Sequence, residues 1–283
     1  MVSGSTDFET ITVRRVGGVI GATVDGIDLA RPLSATQVRE VRAALLEHLV
    51  LFFSNQSLGP GELLAAARNF GEPSVYPFVK GVDGFPEVTE VLKLETETHN
   101  FGGVWHSDTS YLERPPMAGI LHARELPPCG GDTVFSSSIA AYESLTPAMQ
   151  AMLAPLRAVN SSAKADAATG RADRLRDRSS GRREPAEAVH PVVRTHPETG
   201  RKSLYVSRGH TLRIEGMTQA ESAPLLDYLS DLQTRPEFSY RFRWTPGAVA
   251  FWDNRCTQHY AVNDYHGHRR SMLRVTLAGD VPR

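Results

Sequence analysis

Residues 249–259, Val-Ala-Phe-Trp-Asp-Asn-Arg-Cys-Thr-Gln-His, join a short apolar run to a polar turn and then lead to a histidine. Short β-rich runs of this kind recur through residues 88–126 and 189–278, where Gly, Pro and Asp separate them. Evenly spaced short strands with turn residues between them are typical of double-sheet folds. We therefore expect a mainly β fold with flanking helices, whose core is a double-stranded β-helix, or jelly roll.

Helical patterns lie outside these β-rich regions. Ser34 precedes an apolar periodicity that predicts a helix over 35–48, and a buried strand is expected over 49–53. Further helices are predicted near 61–69, over 138–153 and over 218–233, the last with Thr218 and Glu221 as a capping box. Before them, two short strands are expected around the turn Gly17-Gly18. We expect the helices to pack outside the barrel.

Length and composition limit the class of protein. A chain of 283 residues can bury a sizeable core without disulfides, so one domain over 1–283 is the simplest interpretation. The 31 basic and 32 acidic side chains give a net charge of -1, which supplies no general attraction for nucleic acid or anionic membranes. Two cysteines without metal spacing, no membrane-spanning run and no secretory signal favour a cytoplasmic protein.

Residues 161–188 differ from the rest of the chain. Arginines alternate there with Asp and Glu, and large apolar residues are almost missing. Long loops of this composition inside a domain are either solvated insertions or functional lids. We expect a flexible lid or a disordered insertion at 161–188.

The segment Val-Trp-His-Ser-Asp-Thr at 104–109 contains a potential half of a metal site. On a strand, His106 and Asp108 would project from the same face, because side chains alternate. A ferrous oxygenase binds its metal through two imidazoles and one carboxylate and leaves other positions open. A second histidine must come from elsewhere. His266 and His268 form a competing H-x-H pair, but Gly267 indicates a turn where both are expected to be exposed.

At this point the chain resembles the taurine dioxygenase/TfdA family of 2-oxoglutarate-dependent oxygenases. The matching motifs are W-H-S-D at 105–108, G-G-D-T at 130–133, W-D-N at 252–254 with Q-H at 258–259, and R-x-x-x-R at 270–274. The resemblance covers nearly the whole chain. It implies a jelly roll with His106, Asp108 and His259 as ligands of Fe(II), and with O2 and 2-oxoglutarate as cosubstrates. It also implies that Thr133 and Arg270 receive the far carboxylate of 2-oxoglutarate.

These implied roles agree with the chemistry of the side chains. Iron(II) accepts imidazole and carboxylate ligands, and arginine offers a planar fork that matches a carboxylate. A retained Asp108 favours hydroxylation, because halogenating members of the family lack that carboxylate. The alternatives are a non-catalytic jelly-roll binding protein and a metal-dependent hydrolase that uses the same site.

The resemblance also suggests where a small anionic substrate binds. It implies substrate contacts at Tyr76, Gly102, His210 and Arg274. Pro73 and Gly102 stand where taurine enzymes carry histidine and asparagine, which argues against taurine. The sequence is closer to the branches that act on aryloxyalkanoates and alkyl sulfates, so a sulfonate, an alkyl sulfate or an aryloxyalkanoate is expected. Family members commonly form homo-oligomers, and a dimer or tetramer is expected.

Overall fold

The fold is built from short, mostly antiparallel strands with helices packed on the outside. A computed structural model describes residues 8–76, 79–164 and 185–283. Its strands are β1 (Thr12–Arg15), β2 (Ala22–Asp25), β3 (Val50–Phe53), β4 (Pro73–Ser74), β5 (Val88–Lys93), β6 (Ala118–Glu125), β7 (Thr133–Ser137), β8 (Arg157–Ser161), β9 (Glu187–Pro191), β10 (Val193–Thr195), β11 (Lys202–Leu204), β12 (Thr211–Ile214), β13 (Ser239–Phe242), β14 (Val249–Asp253), β15 (Thr257–Ala261) and β16 (Arg270–Leu277). Its helices are α1 (Ala35–His48), α2 (Pro60–Arg68), α3 (Ser138–Glu143), α4 (Pro147–Leu153) and α5 (Gln219–Gln233), with a 3-10 turn at Pro236–Phe238.

Two sheets face each other around the centre of the molecule. The larger has the order β1-β2-β3-β14-β6-β16-β4, with β5 also paired to β16, and the smaller has the order β13-β7-β15. Side chains alternate along each strand, so Ala250 and Trp252 of β14 point toward the small sheet and meet Phe135 of β7. The layer between the sheets is therefore apolar, and polar side chains within it stand out.

The opposite face of the large sheet carries the first two helices. Phe251 of β14 and Leu273 of β16 pack there against Val41 and Leu45 of α1 and against Leu63 of α2, and all five are at most 5% exposed. Burial of each such side chain stabilises the fold by about 1.5–3 kcal/mol before entropy is counted. This packing fixes the sheet that carries the candidate site on its other face.

Most predicted elements are confirmed, and one helix prediction is wrong. Helix α1 has the predicted bounds, and Thr218 and Glu221 form the predicted capping box of α5. The single helix predicted over 138–153 is two helices, because Thr146 takes an extended conformation before Pro147 and caps α4. A proline disfavours helical backbone in the residue that precedes it.

The arginine-rich insertion begins and ends in paired strands. Ser161 of β8 pairs with Glu187 of β9, so the two ends of 161–188 form a hairpin stem. The rest of the segment, 165–184, lies outside the described residues, and its role as a lid stays a prediction. No helix within the described ranges has the length and apolar character needed to cross a bilayer.

Candidate metal centre

His106, Asp108 and His259 converge between the two sheets. Their potential ligand atoms lie within 4.8 Å of one another, and all three residues are buried. Asp108 Oδ1 lies 3.6 Å from Nε2 of both histidines. Strand β15 carries His259, and His106 is held beside it by paired backbone hydrogen bonds of 3.1 and 2.9 Å. The fold therefore brings together the three residues that were predicted from the sequence.

The backbone that presents Asp108 differs from the strand considered above. His106 makes a single β-bridge to His259, and Asp108 follows in a turn. Thr109 has a φ of 41°, which is rare and costly for a β-branched residue. His106 and Asp108 thus converge through a strained turn rather than through strand alternation.

The orientation of the imidazoles suits a metal ion. His106 Nδ1 lies 2.6 Å from the carbonyl oxygen of Val104, so this nitrogen carries the hydrogen and Nε2 presents its lone pair toward Asp108. A backbone acceptor that fixes the tautomer is the usual partner of a metal-binding histidine. The donor set, two imidazoles and a carboxylate, fits a ferrous ion.

The charges around Asp108 favour its ionised form. Burial opposes ionisation, but the pKa of Asp108 lies well below its usual range, and the nearby Arg274 guanidinium is the largest of the causes that lower it. Arg274 Nη2 lies 2.5 Å from Asp108 Oδ2. Burial and the neighbouring His106 lower the pKa of His259, which keeps that imidazole neutral. A carboxylate and a neutral imidazole are the forms that bind a metal.

A second cluster, His196, Asp253 and Cys256, does not offer an equivalent site. Asp253 already accepts hydrogen bonds from Arg255 Nη2 at 2.6 Å and from His196 Nε2 at 3.0 Å. Burial raises the pKa of the Cys256 thiol well above its usual value, so the thiolate is disfavoured. This cluster is a buried ionic network. The competing pair His266 and His268 is exposed, as predicted.

A cavity extends from the triad between the sheets, and Arg270 and Arg274 line it together with Thr133. Arg270 is 5% exposed, and its Nε and Nη2 have no hydrogen-bond partner among the described residues. Burial lowers the pKa of Arg270, although Tyr265 and Asp132 oppose this effect. A buried cation without a bonded anion is costly, so this position fits an incoming carboxylate.

The G-G-D-T motif shapes the wall beside Arg270. Gly131 has a φ of 70°, and a Cβ there would lie 3.2 Å from Arg270 Cδ. Thr133 begins β7, and its Oγ1 accepts a 3.0 Å hydrogen bond from Trp244 Nε1. The Trp244 ring centroid lies 5.8 Å from the Arg270 guanidinium carbon. Thr133 and Arg270 therefore share one end of the cavity, with Trp244 behind them.

The predicted substrate residues occupy different positions. Arg274 and Gly102 line the cavity, and a Cβ on Gly102 would lie 3.2 Å from His106 Cε1. Tyr76 is close enough to Arg274 to contribute to the raised pKa of that arginine. His210 lies behind His106, with 5.7 Å between the ring centroids, and Ser110 Oγ is 3.0 Å from its Nδ1. Gly102 and Arg274 can contact a ligand in this cavity directly, whereas neither Tyr76 nor His210 is among its lining residues.

Sequence reasoning missed two residues that support the site. Asn254, quoted only as part of W-D-N, bonds to the backbone of Asp108. Trp244 carried no signal, because a tryptophan in a β-rich run is ordinarily a core residue. The fold and this arrangement define a class: jelly-roll proteins that hold a divalent metal through two histidines and one carboxylate, next to an anion-binding cavity.

Comparisons with known proteins agree with this class. The sequence profile of the family described as taurine catabolism dioxygenase TauD, TfdA family, matches residues 12–276. The chain is 38% identical over 280 residues to an alpha-ketoglutarate-dependent sulfate ester dioxygenase from Pseudomonas putida, covering 96% of this chain and 91% of the relative. It is 37% identical over 281 residues to an alkylsulfatase from Acinetobacter baylyi, covering 96% and 86%. The crystal structure of a taurine dioxygenase from Burkholderia xenovorans superposes with a TM-score of 0.82, at 37% identity and 97% and 91% coverage.

The chain belongs to the TauD/TfdA family. It is an iron(II)- and 2-oxoglutarate-dependent dioxygenase with a jelly-roll core. The family, the fold class and the cosubstrates expected from the sequence are thereby confirmed.

Proposed function

We propose that the chain oxidises an alkyl sulfate ester at the carbon bonded to the ester oxygen. In this proposal His106, Asp108 and His259 hold Fe(II), Thr133 and Arg270 bind 2-oxoglutarate, and Arg274 binds the sulfate group. One observation carries it: Arg274 lies in the wall of the cavity beside the triad, and its Nε has no hydrogen-bond partner among the described residues.

The lining of the cavity supports an ester with an apolar chain. Its lining includes Val91, Phe101, Leu121, Phe135 and Trp252, which offer no charge to a ligand. An arginine beside apolar walls suits a molecule with one anionic head and an aliphatic body. The two relatives named above for sulfate esters and alkyl sulfates each align with 96% of the chain.

The reaction combines the chemistry of bound iron with positioning by the protein. When bound, the iron supplies oxygen activation coupled to decarboxylation of 2-oxoglutarate, which yields succinate, carbon dioxide and a hydroxylated substrate. A hydroxyl group on the carbon of a sulfate ester makes a hemiacetal-type product, which collapses to an aldehyde and sulfate. The chain's own share is to orient the two anions and to exclude water, since every polar residue assigned here is at most 8% exposed.

The decisive experiment measures succinate and sulfate together. Purified enzyme with Fe(II), 2-oxoglutarate and O2 is given alkyl sulfates, alkyl sulfonates, aryloxyalkanoates and the matching alcohols. We expect alkyl sulfates to stimulate succinate formation with one sulfate released per succinate, and the uncharged alcohols to have little effect. Stimulation by sulfonates or aryloxy acids alone would reject the ester assignment. Sulfate release without succinate would indicate a hydrolase, and ligand binding without either product would indicate a binding protein.

Replacing Arg274 by methionine tests the substrate anion site. We expect kcat/KM for the alkyl sulfate to fall about a hundredfold. Truncating one partner of a buried ion pair between protein and ligand typically costs about 2–5 kcal/mol of binding free energy. The KM for 2-oxoglutarate in substrate-free turnover should change much less. Arg269→Met is the matched control, because Arg269 is next to Arg270 in sequence but forms an exposed ion pair with Glu125 at the surface. An equal rise in both KM values would place Arg274 at the cosubstrate instead.

Replacing Trp244 by phenylalanine tests the cosubstrate end of the cavity. The Trp244 N–H occupies a lone pair of Thr133 Oγ1, which leaves the hydroxyl hydrogen free to point at a carboxylate. Loss of one neutral hydrogen bond costs about 1 kcal/mol, so we expect the KM for 2-oxoglutarate to rise about fivefold with kcat nearly unchanged. Phenylalanine keeps a ring next to Phe242 and Arg270. An unaltered KM would contradict this role.

The proposal also covers the cellular compartment, the oligomeric state and the partners of the enzyme. We propose a cytoplasmic homo-oligomer, a dimer or tetramer, without nucleic-acid or membrane partners. The net charge of -1 supports the absence of nucleic-acid and membrane partners, and the two free cysteines, Cys129 and Cys256, support a reducing compartment. Light scattering coupled to size exclusion tests the assembly, and a monomer at micromolar concentration would contradict it.

A further inference from the structure

Asn254 connects the segment that bears Asp108 to the strand that bears His259. Its Oδ1 accepts a 2.7 Å hydrogen bond from the Asp108 backbone N–H. Its Nδ2 donates to the carbonyl oxygens of Asp108 at 3.2 Å and Pro116 at 3.0 Å. The side chain is fully buried, at 0% exposure. The Asn254 amide thus bonds to both the N–H and the C=O of Asp108 and also to the carbonyl oxygen of Pro116.

The backbone of Asp108 needs such a partner. Asp108 is 3% exposed and lies in a turn, so strand pairing does not satisfy its N–H and C=O groups. A buried backbone group without a partner costs about 1–3 kcal/mol. The next residue, Thr109, has a left-handed φ of 41°, a conformation that persists only when its surroundings enforce it. Asn254 supplies hydrogen bonds that enforce this turn.

The direction of the Asp108 carboxylate depends on this turn. Oδ1 faces the two imidazoles at 3.6 Å, while Oδ2 is drawn to Arg274 at 2.5 Å. A carboxylate between these partners can rotate toward the arginine unless its Cα–Cβ bond is fixed. The hydrogen bonds from Asn254 hold the N–H and C=O groups on either side of the Cα from which that bond projects. It also follows β14 directly, five residues before His259, so it ties the carboxylate to the strand of the second imidazole.

We propose that Asn254 is a positioning residue for the metal site, holding the Asp108 carboxylate toward His106 and His259 and against the attraction of Arg274. This inference rests on the proposed metal-binding role of the triad. It gives the third letter of the W-D-N motif a function in metal binding, whereas Asp253 belongs to the neighbouring ionic network.

The test compares metal affinity with fold stability. Co(II) is titrated into metal-free wild type, Asn254→Ala and Asn160→Ala, and the visible absorption of the bound ion and the melting temperature are recorded. Asn160 is the matched control, because it is also 0% exposed and bonds to Ala158 and Thr211 in another sheet. We expect both variants to melt earlier. Only Asn254→Ala should bind Co(II) about 10–100-fold more weakly and with an altered spectrum, as for loss of a residue that orients a metal ligand.

The outcomes separate this inference from the proposed function. If Asn254→Ala and Asn160→Ala lose stability alike and both keep wild-type Co(II) affinity and spectrum, Asn254 is only structural and the inference fails. If the wild type itself binds Co(II) no better than His106→Ala, the proposed metal site fails. Should Asn254→Ala not fold, Asn254→Ser, which leaves room for a water molecule, replaces it with the same expected loss of affinity. Wild-type affinity in that variant would equally reject the inference.

Discussion

Replacing His106 by alanine is expected to remove substrate-stimulated succinate formation almost completely. The imidazole is one of the three proposed metal ligands, and of the two that would remain, Asp108 is already paired with Arg274. A bound metal contributes several kcal/mol to such a reaction, and each 1.36 kcal/mol is a factor of ten, so a loss on the order of a thousandfold is expected. Oxygen uptake and succinate formation at saturating Fe(II) measure it.

A buried histidine elsewhere in the fold controls for damage to packing. His122 is 3% exposed and lies on the outer face of β6, where its Nε2 bonds to the backbone oxygen of Gln56 at 3.0 Å. His122→Ala should lower the melting temperature while retaining Co(II) affinity and turnover. If His106→Ala kept 2-oxoglutarate decarboxylation at the level of His122→Ala, the metal assignment would be wrong.

The order of short motifs was enough to predict the family, the fold and the three converging side chains. Metal ligands and anion-binding arginines are chemically restricted, so few residue types can replace them, and their spacing survives in the sequence. Helix α1 was also predictable, because Ser34 and Gln37 are neighbours along the chain and form the capping box locally. Structural features that depend on residues close together in the sequence can therefore be predicted from it.

What could not be predicted depends on contacts between distant residues. Asp108 and Asn254 are 146 residues apart, and Thr133 and Trp244 are 111 apart. No residue near position 108 indicates a turn whose backbone needs the side-chain amide of a residue distant in sequence. The strained φ of Thr109 is likewise imposed by tertiary structure rather than by propensity.

The pairing of Arg274 with Asp108 was also hidden from the sequence. Residues 270 and 274 are on one face of β16, so the sequence indicated two arginines beside the metal. It did not indicate that Arg274 would contact the Asp108 carboxylate at 2.5 Å while Arg270 forms no ion pair with a carboxylate of the described residues. That difference makes Arg270 the stronger candidate for the cosubstrate carboxylate.

Replacing Arg270 by methionine should therefore weaken 2-oxoglutarate binding strongly and stabilise the ligand-free protein. Loss of a buried, charge-assisted partner costs 2–5 kcal/mol, so we expect the KM for 2-oxoglutarate to rise on the order of a hundredfold or more. Without the cosubstrate, however, the guanidinium is 5% exposed and only partly hydrogen-bonded. An apolar side chain of similar volume in place of such a buried charge is often neutral or stabilising by about 1–4 kcal/mol.

These two effects have opposite signs, and this combination distinguishes a binding residue from a structural one. A structural arginine would lower both the melting temperature and the activity, whereas Arg270→Met should raise the first and lower the second. Arg270→Lys keeps the charge but loses the planar fork, so its KM should lie between those of the wild type and the methionine variant.

Arg194, which is 0% exposed and bonds to Asp280 at 2.7 Å, is the matched control. Arg194→Met should leave the KM for 2-oxoglutarate within about twofold, because distant sites act independently. A wild-type KM in Arg270→Met would mean that the far carboxylate binds elsewhere, and the buried charge of Arg270 would then need another partner.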